Sequence, residues 1–158
     1  MQPISHEIVG EFTRQAVHNV FGNMLALELV DDPPTPLATD PAGQIVAGVG
    51  FAGQATGIVY LYAGVSLAVV ITGAMLGLTP AEVDVAMVND AFGEVNNMVA
   101  GAVKSQICDR GWQCQLTIPS IVRGNGLRVE SISKAKKTVF GFRSGPYRLL
   151  AELILKET

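Results

Sequence analysis

Four residues between positions 90 and 101 are spaced so that one side of an α-helix would carry all of them. An ideal helix turns about 100° per residue, which places Asp90, Glu94, Asn97 and Gly101 within about 60° of arc. The Glu94 carboxylate and the Asn97 carboxamide then stand one turn apart. A carboxamide has both donor and acceptor atoms, so it can orient a water molecule without ionising. Wheel position alone favours the ordinary interpretation, a solvated helix face.

The helix that must carry these residues has a well-defined apolar face. The start is indicated by Thr79-Pro80-Ala81-Glu82, a capping box with proline at the first helical position, and the end by Gly111. A helix of about 30 residues is long for a globular domain, so a break near Val85 is predicted. The predicted core positions fall within about 100° of arc, almost opposite the polar residues. They are Val88, Phe92, Val95, Val99, Ala102 and Val103.

Two glycines lie inside the same predicted helix. Gly93 and Gly101 each cost about 0.5–1 kcal/mol relative to alanine at such a position. A surface that served only solubility would not use them. Gly101 flattens the exposed face and lets another backbone come close, whereas Gly93, at the edge of the apolar face, also fits tight packing against a neighbouring element.

The rest of the chain predicts helices packed against an antiparallel sheet. Residues 4–25 form a first helix capped by Ser5, residues 31–41 form a proline-rich loop, and Val65–Leu76 forms an apolar helix. Short turns between consecutive strands imply antiparallel pairing and an α+β fold, and residues 1–158 are expected to form one domain. Strands are predicted at Gln44–Phe51, Thr56–Tyr62, Gln113–Ile121, Leu127–Ser133, Lys137–Phe142 and Arg148–Leu155.

Composition excludes several functional classes. The chain is 49% hydrophobic and 16% charged, which argues against disorder, and its net charge of −3 without a basic run argues against a nucleic-acid partner. Cys108 and Cys114 do not form a CxxC pattern and no metal site is expected. Two free thiols, together with a start that lacks a signal peptide, favour the reducing cytoplasm.

One uncharged stretch resembles a membrane span. Residues 41–81 contain no charged side chain, and residues 56–78 are long and apolar enough to suggest a spanning helix. The stretch is rich in glycine, divides into a β-rich and a helical half, and has acidic flanks at Asp40 and Glu82. A buried hairpin followed by a buried helix is therefore predicted, with no membrane span.

The spaced pattern from Asp90 to Gly101 resembles the signature of the CheC/CheX/FliY phosphatases of bacterial chemotaxis. Around it, NDAFGEVNNMVAG resembles the active helix of CheX in particular. GVGFAGQATGIVYLYA resembles the family hairpin before that helix, and LTIPSIVRGNGL resembles the strand after it. The likeness covers about residues 45–130 and implies a CheC-like fold with two related halves.

The first predicted helix contains a weaker copy of the same spacing. Gln15, His18 and Gly22 stand where the second half has Glu94, Asn97 and Gly101. Because the glutamate and asparagine are replaced, the first helix is interpreted as non-catalytic.

The resemblance implies an enzyme that hydrolyses the aspartyl phosphate of a CheY-like response regulator. Asn97 would position the attacking water, and Glu94 would pair with the lysine of the receiver domain. Asp90 would extend the negative edge, Gly101 would admit the partner, and Lys104 is a further candidate contact. No cofactor of its own is expected, because Mg²⁺ comes with the bound response regulator.

Two other functions fit the same sequence. The chain could bind a regulator or scaffold of the flagellar switch without catalysis, or it could sense a ligand in an apolar pocket lined by residues 41–81.

The resemblance also implies a homodimer formed through a sheet edge of one of the last strands.

Overall fold

The computed structural model describes residues 4–130 and 135–156. Helix α1, His6–Asn19, continues into a wider π-helical turn at Val20–Met24. Helix α2 is Val65–Leu76, and helix α3 is Val85–Asp109, preceded by a 3₁₀ turn at Pro80–Glu82. The strands are β1 Val30–Asp32, β2 Gln44–Gly53, β3 Gly57–Gly64, β4 Cys114–Leu116, β5 Ser120–Gly124, β6 Ala135–Ser144 and β7 Tyr147–Lys156.

All the strands belong to one antiparallel sheet. Its order is β1-β6-β7-β3-β2-β4, and β5 pairs with β2 beside β4. The hairpin predicted from the apolar runs is β2 and β3, which pair from Gln44 opposite Gly64 to Phe51 opposite Gly57. Three helices cover one side of this sheet, so the predicted α+β class with an antiparallel sheet is confirmed.

The uncharged stretch is a hairpin, β2 and β3, followed by a helix, as predicted. β3 and α2 together occupy residues 57–76 and contribute Val59, Leu61 and Ile71 to the core. No helix within the described residues is long and apolar enough to cross a membrane.

The prediction of a strand at Leu127–Ser133 is wrong for the part that the structure describes. Residues 127–130 are not in a strand, and residues 131–133 lie outside the described residues. Leu127 and Val129 instead pack against the second side of the sheet, and the Val129 carbonyl accepts a hydrogen bond from Lys137 Nζ at 3.0 Å. The alternation of apolar and polar residues arises here from a loop lying on a sheet rather than from strand pairing.

Two further boundaries differ from the predicted ones. The predicted strand Gln113–Ile121 is interrupted at Pro119, which has no backbone N–H to donate, and its two parts pair separately with β2. The predicted loop at residues 31–41 begins with two residues of the short strand β1, which pairs with β6. That pairing joins residues more than 100 positions apart, so local sequence carries little sign of it.

Helix α3 begins and ends where the sequence predicted a break and a stop. Thr79 and Glu82 form the capping box on the short 3₁₀ turn, and Asp84 then caps α3 by accepting a hydrogen bond from Met87 N at 2.8 Å. Gly111, at φ +93°, follows the last turn. The predicted apolar face is buried against the sheet except for Ala102, which is half-buried.

The second side of the sheet carries a buried carboxylate. Glu152 of β7 is 4% exposed, and it lies 3.3 Å from Lys137 Nζ and 3.4 Å from the Tyr62 hydroxyl, which donates to it. Burial raises the pKa of Glu152, and the neighbouring Lys137 and Tyr62 only partly oppose this. Folding therefore favours the protonated form of this side chain.

We expect Glu152→Gln to change how stability depends on pH. The contribution of Glu152 to the free energy of unfolding is fully present below the ordinary pKa of glutamate and is lost as the pH rises through its raised value. Wild type should therefore lose stability relative to the variant as the pH rises from about 4 across the acidic and neutral range. Urea unfolding of both proteins across this range measures the difference, and a difference independent of pH would contradict the assignment.

Candidate functional site

The residues predicted to do chemistry occupy the solvent-facing side of α3. Asp90 and Glu94 are exposed, and Asn97, Gly101 and Lys104 are half-buried. Because α3 is uninterrupted from Val85 to Asp109, these positions share one face, with Glu94 and Asn97 about 4.5 Å apart along the axis. We call the surface formed by Asp90, Glu94, Asn97 and Gly101 the polar stripe.

The side chains of the polar stripe are not engaged within the described parts of the chain. Asp90, Glu94 and Asn97 make no hydrogen bond or ion pair with other residues of 4–130 and 135–156. Both hydrogen-bonding functions of the Asn97 amide and all the lone pairs of the Glu94 carboxylate are thus available to another molecule.

Lys104 and the two cysteines lie at the C-terminal end of the polar stripe. The charge of Lys104 acts on Cys114, whose thiol contacts that of Cys108. Burial and the neighbouring Cys108 nevertheless raise the pKa of Cys114 to about 11, so this thiol is protonated at neutral pH and is not a ready nucleophile. Within the described residues, no three His, Cys, Asp or Glu side chains are grouped so that they could hold a metal ion.

Neither glycine of α3 is required by packing inside the chain. A Cβ atom added at Gly101 would meet only Leu116 Cδ1, at 3.9 Å, and one at Gly93 would lie 3.6 Å from Pro119 and Ile121. These are ordinary van der Waals distances. The tight-packing explanation considered for Gly93 is therefore not supported by these contacts, and Gly101 leaves open space on the exposed face.

One buried and one part-buried hydrogen-bonded contact fix α3 against the sheet, and the sequence pattern singled out neither. The fully buried Asn96 donates hydrogen bonds to the carbonyls of Ala47 and Val59, at 2.9 and 3.0 Å. Arg123 of β5 donates from Nε to Asn89 Oδ1 at 2.8 Å. A polar residue on the core side of the helical wheel is the signal that would have revealed Asn96, whereas a single arginine in a strand gives no comparable signal.

The weaker copy of the motif on α1 is engaged in contacts within the chain. His18 Nε2 lies 2.6 Å from Asp31 Oδ1, and the His18 ring packs edge-on against Phe142 with 5.2 Å between ring centres. Gln15 is exposed, and a Cβ atom at Gly22 would meet nothing within 4 Å. His18 thus ties α1 to β1, which distinguishes this copy from the unengaged Asn97.

A known family model matches the part of the chain that contains α3. The family model described as chemotaxis phosphatase CheX matches residues 45–143, which include β2, β3, α3 and most of β6. This chain belongs to the CheX family. The resemblance predicted from the residues in and around α3 is therefore confirmed, while no curated protein matches the chain.

Solved CheX structures have the same fold. CheX from Vibrio vulnificus matches with a TM-score of 0.80 and 24% identity over 94% of this chain and 96% of that chain. CheX from Desulfovibrio desulfuricans matches with 0.78 and 21% over 94% and 99%. A CheX-CheY-BeF3-Mg²⁺ complex from Borrelia burgdorferi matches with 0.76 and 16% over 94% and 98%. At these identities the likeness establishes a CheX-like fold.

We expect Gly101→Ala to stabilise the isolated protein. Alanine in the middle of a helix is favoured over glycine by about 0.5–1 kcal/mol, and the added methyl group meets nothing closer than 3.9 Å. Thermal or urea unfolding should show this increase in the free energy of unfolding. A destabilised variant would mean that Gly101 is needed by contacts within the chain.

Proposed function

We propose that this chain hydrolyses the aspartyl phosphate of a CheY-like receiver domain. The observation that carries the proposal is the unengaged pair of Glu94 and Asn97 on the exposed face of α3, in a chain of the chemotaxis phosphatase family CheX. The Borrelia burgdorferi relative was solved together with CheY, BeF3 and Mg²⁺, which supports a partner of this kind.

The chemistry needs a water molecule placed in line with the bond that breaks. The water oxygen attacks phosphorus, the bond from phosphorus to the aspartate oxygen breaks, and inorganic phosphate and a free carboxylate result. Phosphoryl transfer leaves the protein mainly a positioning and electrostatic task. The Asn97 amide suits this task because it can bind water through its carbonyl oxygen and the phosphoryl group through its N–H.

The other residues of the face have separate roles in the proposal. Glu94 pairs with the receiver's lysine and thereby sets the register of α3 against the partner's cleft. Asp90 extends the negative edge, Gly101 allows the partner's backbone to approach, and Lys104 makes a further contact at the end of the stripe. Mg²⁺ is brought by the receiver, and the chain supplies no cofactor.

The homodimer remains a prediction. Within the described residues, β1 pairs with β6 only along Gly141–Arg143, so the outer edge of β6 from Ala135 to Phe140 has no neighbouring strand there. Such an edge offers backbone groups to a second copy.

We expect Asn97→Ala to slow dephosphorylation by on the order of 100-fold, because the water loses its positioning group. Binding to a receiver activated with beryllofluoride should change by less than about threefold. The rate is measured as phosphate released from CheY-like receivers of the same genome after phosphorylation with acetyl phosphate.

Gln106→Ala is the matched control for this measurement. Gln106 is an exposed carboxamide of the same helix, about 180° around the axis from Asn97. Its variant should release phosphate at the wild-type rate. Wild-type rates in Asn97→Ala would show that Asn97 does not position the water. No increase in phosphate release when the unaltered chain is added would show that the chain binds without catalysing.

We expect Glu94→Ala to weaken both docking and turnover. Loss of one charged contact at an interface reduces affinity by about tenfold, and misplacing the helix on the partner also lowers the rate. Removal of the exposed Asp109 carboxylate by Asp109→Ala, at the far end of α3, should leave both quantities unchanged. Affinity for the receiver is measured by titration at several salt concentrations. If Glu94→Ala and Asp109→Ala weaken binding equally, the effect is one of overall charge rather than of a specific ion pair.

A further inference from the structure

The residue before Asn97 is the one polar side chain of α3 that is fully buried in the described structure. Asn96 points into the core, and its Nδ2 donates to the Ala47 carbonyl at 2.9 Å and to the Val59 carbonyl at 3.0 Å. Ala47 belongs to β2 and Val59 to β3, two neighbouring strands in the sheet. One amide group therefore holds the middle of the helix to two strands at once.

These two bonds restrict the helix in ways that its apolar contacts do not. The buried face of α3 consists mostly of valine and alanine, and burial of such side chains is not directional. Small shifts or rotations of the helix would keep most of that burial. Two hydrogen bonds to different strands, by contrast, are satisfied in only one position and one rotation of α3.

A purely stabilising role explains Asn96 poorly. Its Oδ1 is buried and has no hydrogen-bond partner among residues 4–130 and 135–156, and an unsatisfied buried acceptor opposes folding. A valine at this position would fill similar space and would remove this unpaired acceptor, although the Ala47 and Val59 carbonyls would each lose one donated bond. The position that its two donated hydrogen bonds give to α3 explains the asparagine better than the stability that these bonds add.

We propose that Asn96 is a positioning residue, which fixes the Asn97 amide for in-line attack by water through its hydrogen bonds to Ala47 and Val59. The inference rests on the proposed function. Asn97 is the next residue, so a rotation of α3 moves its amide directly, and errors of about 1 Å reduce in-line reactions strongly. The Glu94 ion pair tolerates such errors better, because Coulomb energy changes slowly with distance. Asn96 should therefore affect kcat more than KM.

Asn96→Val tests this inference, because it removes both donated bonds together with the unpaired acceptor. With phosphorylated receiver as substrate, kcat should fall by about 10- to 100-fold, while KM and the Kd for beryllofluoride-activated receiver change by less than about threefold. The matched control is Thr72→Val. Thr72 is equally buried on α2, and its hydroxyl donates to the Ala68 carbonyl at 2.7 Å, away from the polar stripe. Its kcat should stay at the wild-type value.

Asn96→Asp provides a second measurement that remains informative if the valine variant does not fold. Its ionised carboxylate cannot donate to the two carbonyls, but the protonated form can donate to one. Relative to wild type, kcat should therefore rise as the pH is lowered from about 8 to 5.5. Circular dichroism at each pH gives the folded fraction, and kcat is calculated per folded molecule.

The outcomes separate this inference from the proposed function. If Asn97→Ala loses activity but Asn96→Val keeps the wild-type kcat, or if Asn96→Asp shows no pH-dependent recovery, Asn96 does not position the amide. The inference is also wrong if kcat and Kd worsen together, or if Thr72→Val lowers kcat equally. If Asn97→Ala retains the wild-type kcat, the role proposed for Asn97 itself fails, and if the unaltered chain does not speed phosphate release, the proposed function fails, whatever Asn96 does.

Discussion

Helix α3 can expose a polar face only because its opposite face is held on the middle strands of the sheet. The valine-rich side and the Asn96 amide lie against β2 and β3, while Glu94 and Asn97 make no hydrogen bond or ion pair within the described residues. The other helices and the outer strands complete the hydrophobic core around α3. The geometry of the surface proposed to bind a receiver domain is therefore set by the contacts on the opposite side of the helix.

The polar stripe lowers the stability of its helix and leaves the exposed face open to another molecule. Glycine at position 101 weakens the helix, and no contact within the described chain requires it, since an added methyl group would meet only Leu116. Side-chain pairs one turn apart can stabilise a helix, yet Asp90, Glu94 and Asn97 form no such pair within the described residues. A surface with both properties is better suited to receiving another protein than to stabilising its own.

Local sequence predicted the parts of the fold that depend on local physics. The capping box at Thr79–Glu82, the break before Val85 and the β2–β3 hairpin follow from turn residues and hydrophobic periodicity, and the structure has them all. The loop around Leu127 and Val129 was predicted as a strand, because alternation cannot distinguish pairing from packing on a sheet. The position of β1 was not predictable in this way, since it depends on partners more than 100 residues away. Asn96 could be recognised as a polar residue on the core side of the helical wheel, but its partners Ala47 and Val59 could not.

The position of β7 in the sheet has a consequence for how the protein folds. β3 pairs with β7, and Tyr62 and Glu152 on these strands are 90 residues apart in the chain. Closing so long a loop carries an entropic cost that must be met before the contacts form, so the centre of the sheet assembles slowly and cooperatively. The support beneath α3 is complete only once β7 has been synthesised and inserted. A nascent chain that ends before β7 therefore carries the residues of the stripe on a sheet that still lacks the strand beside β3.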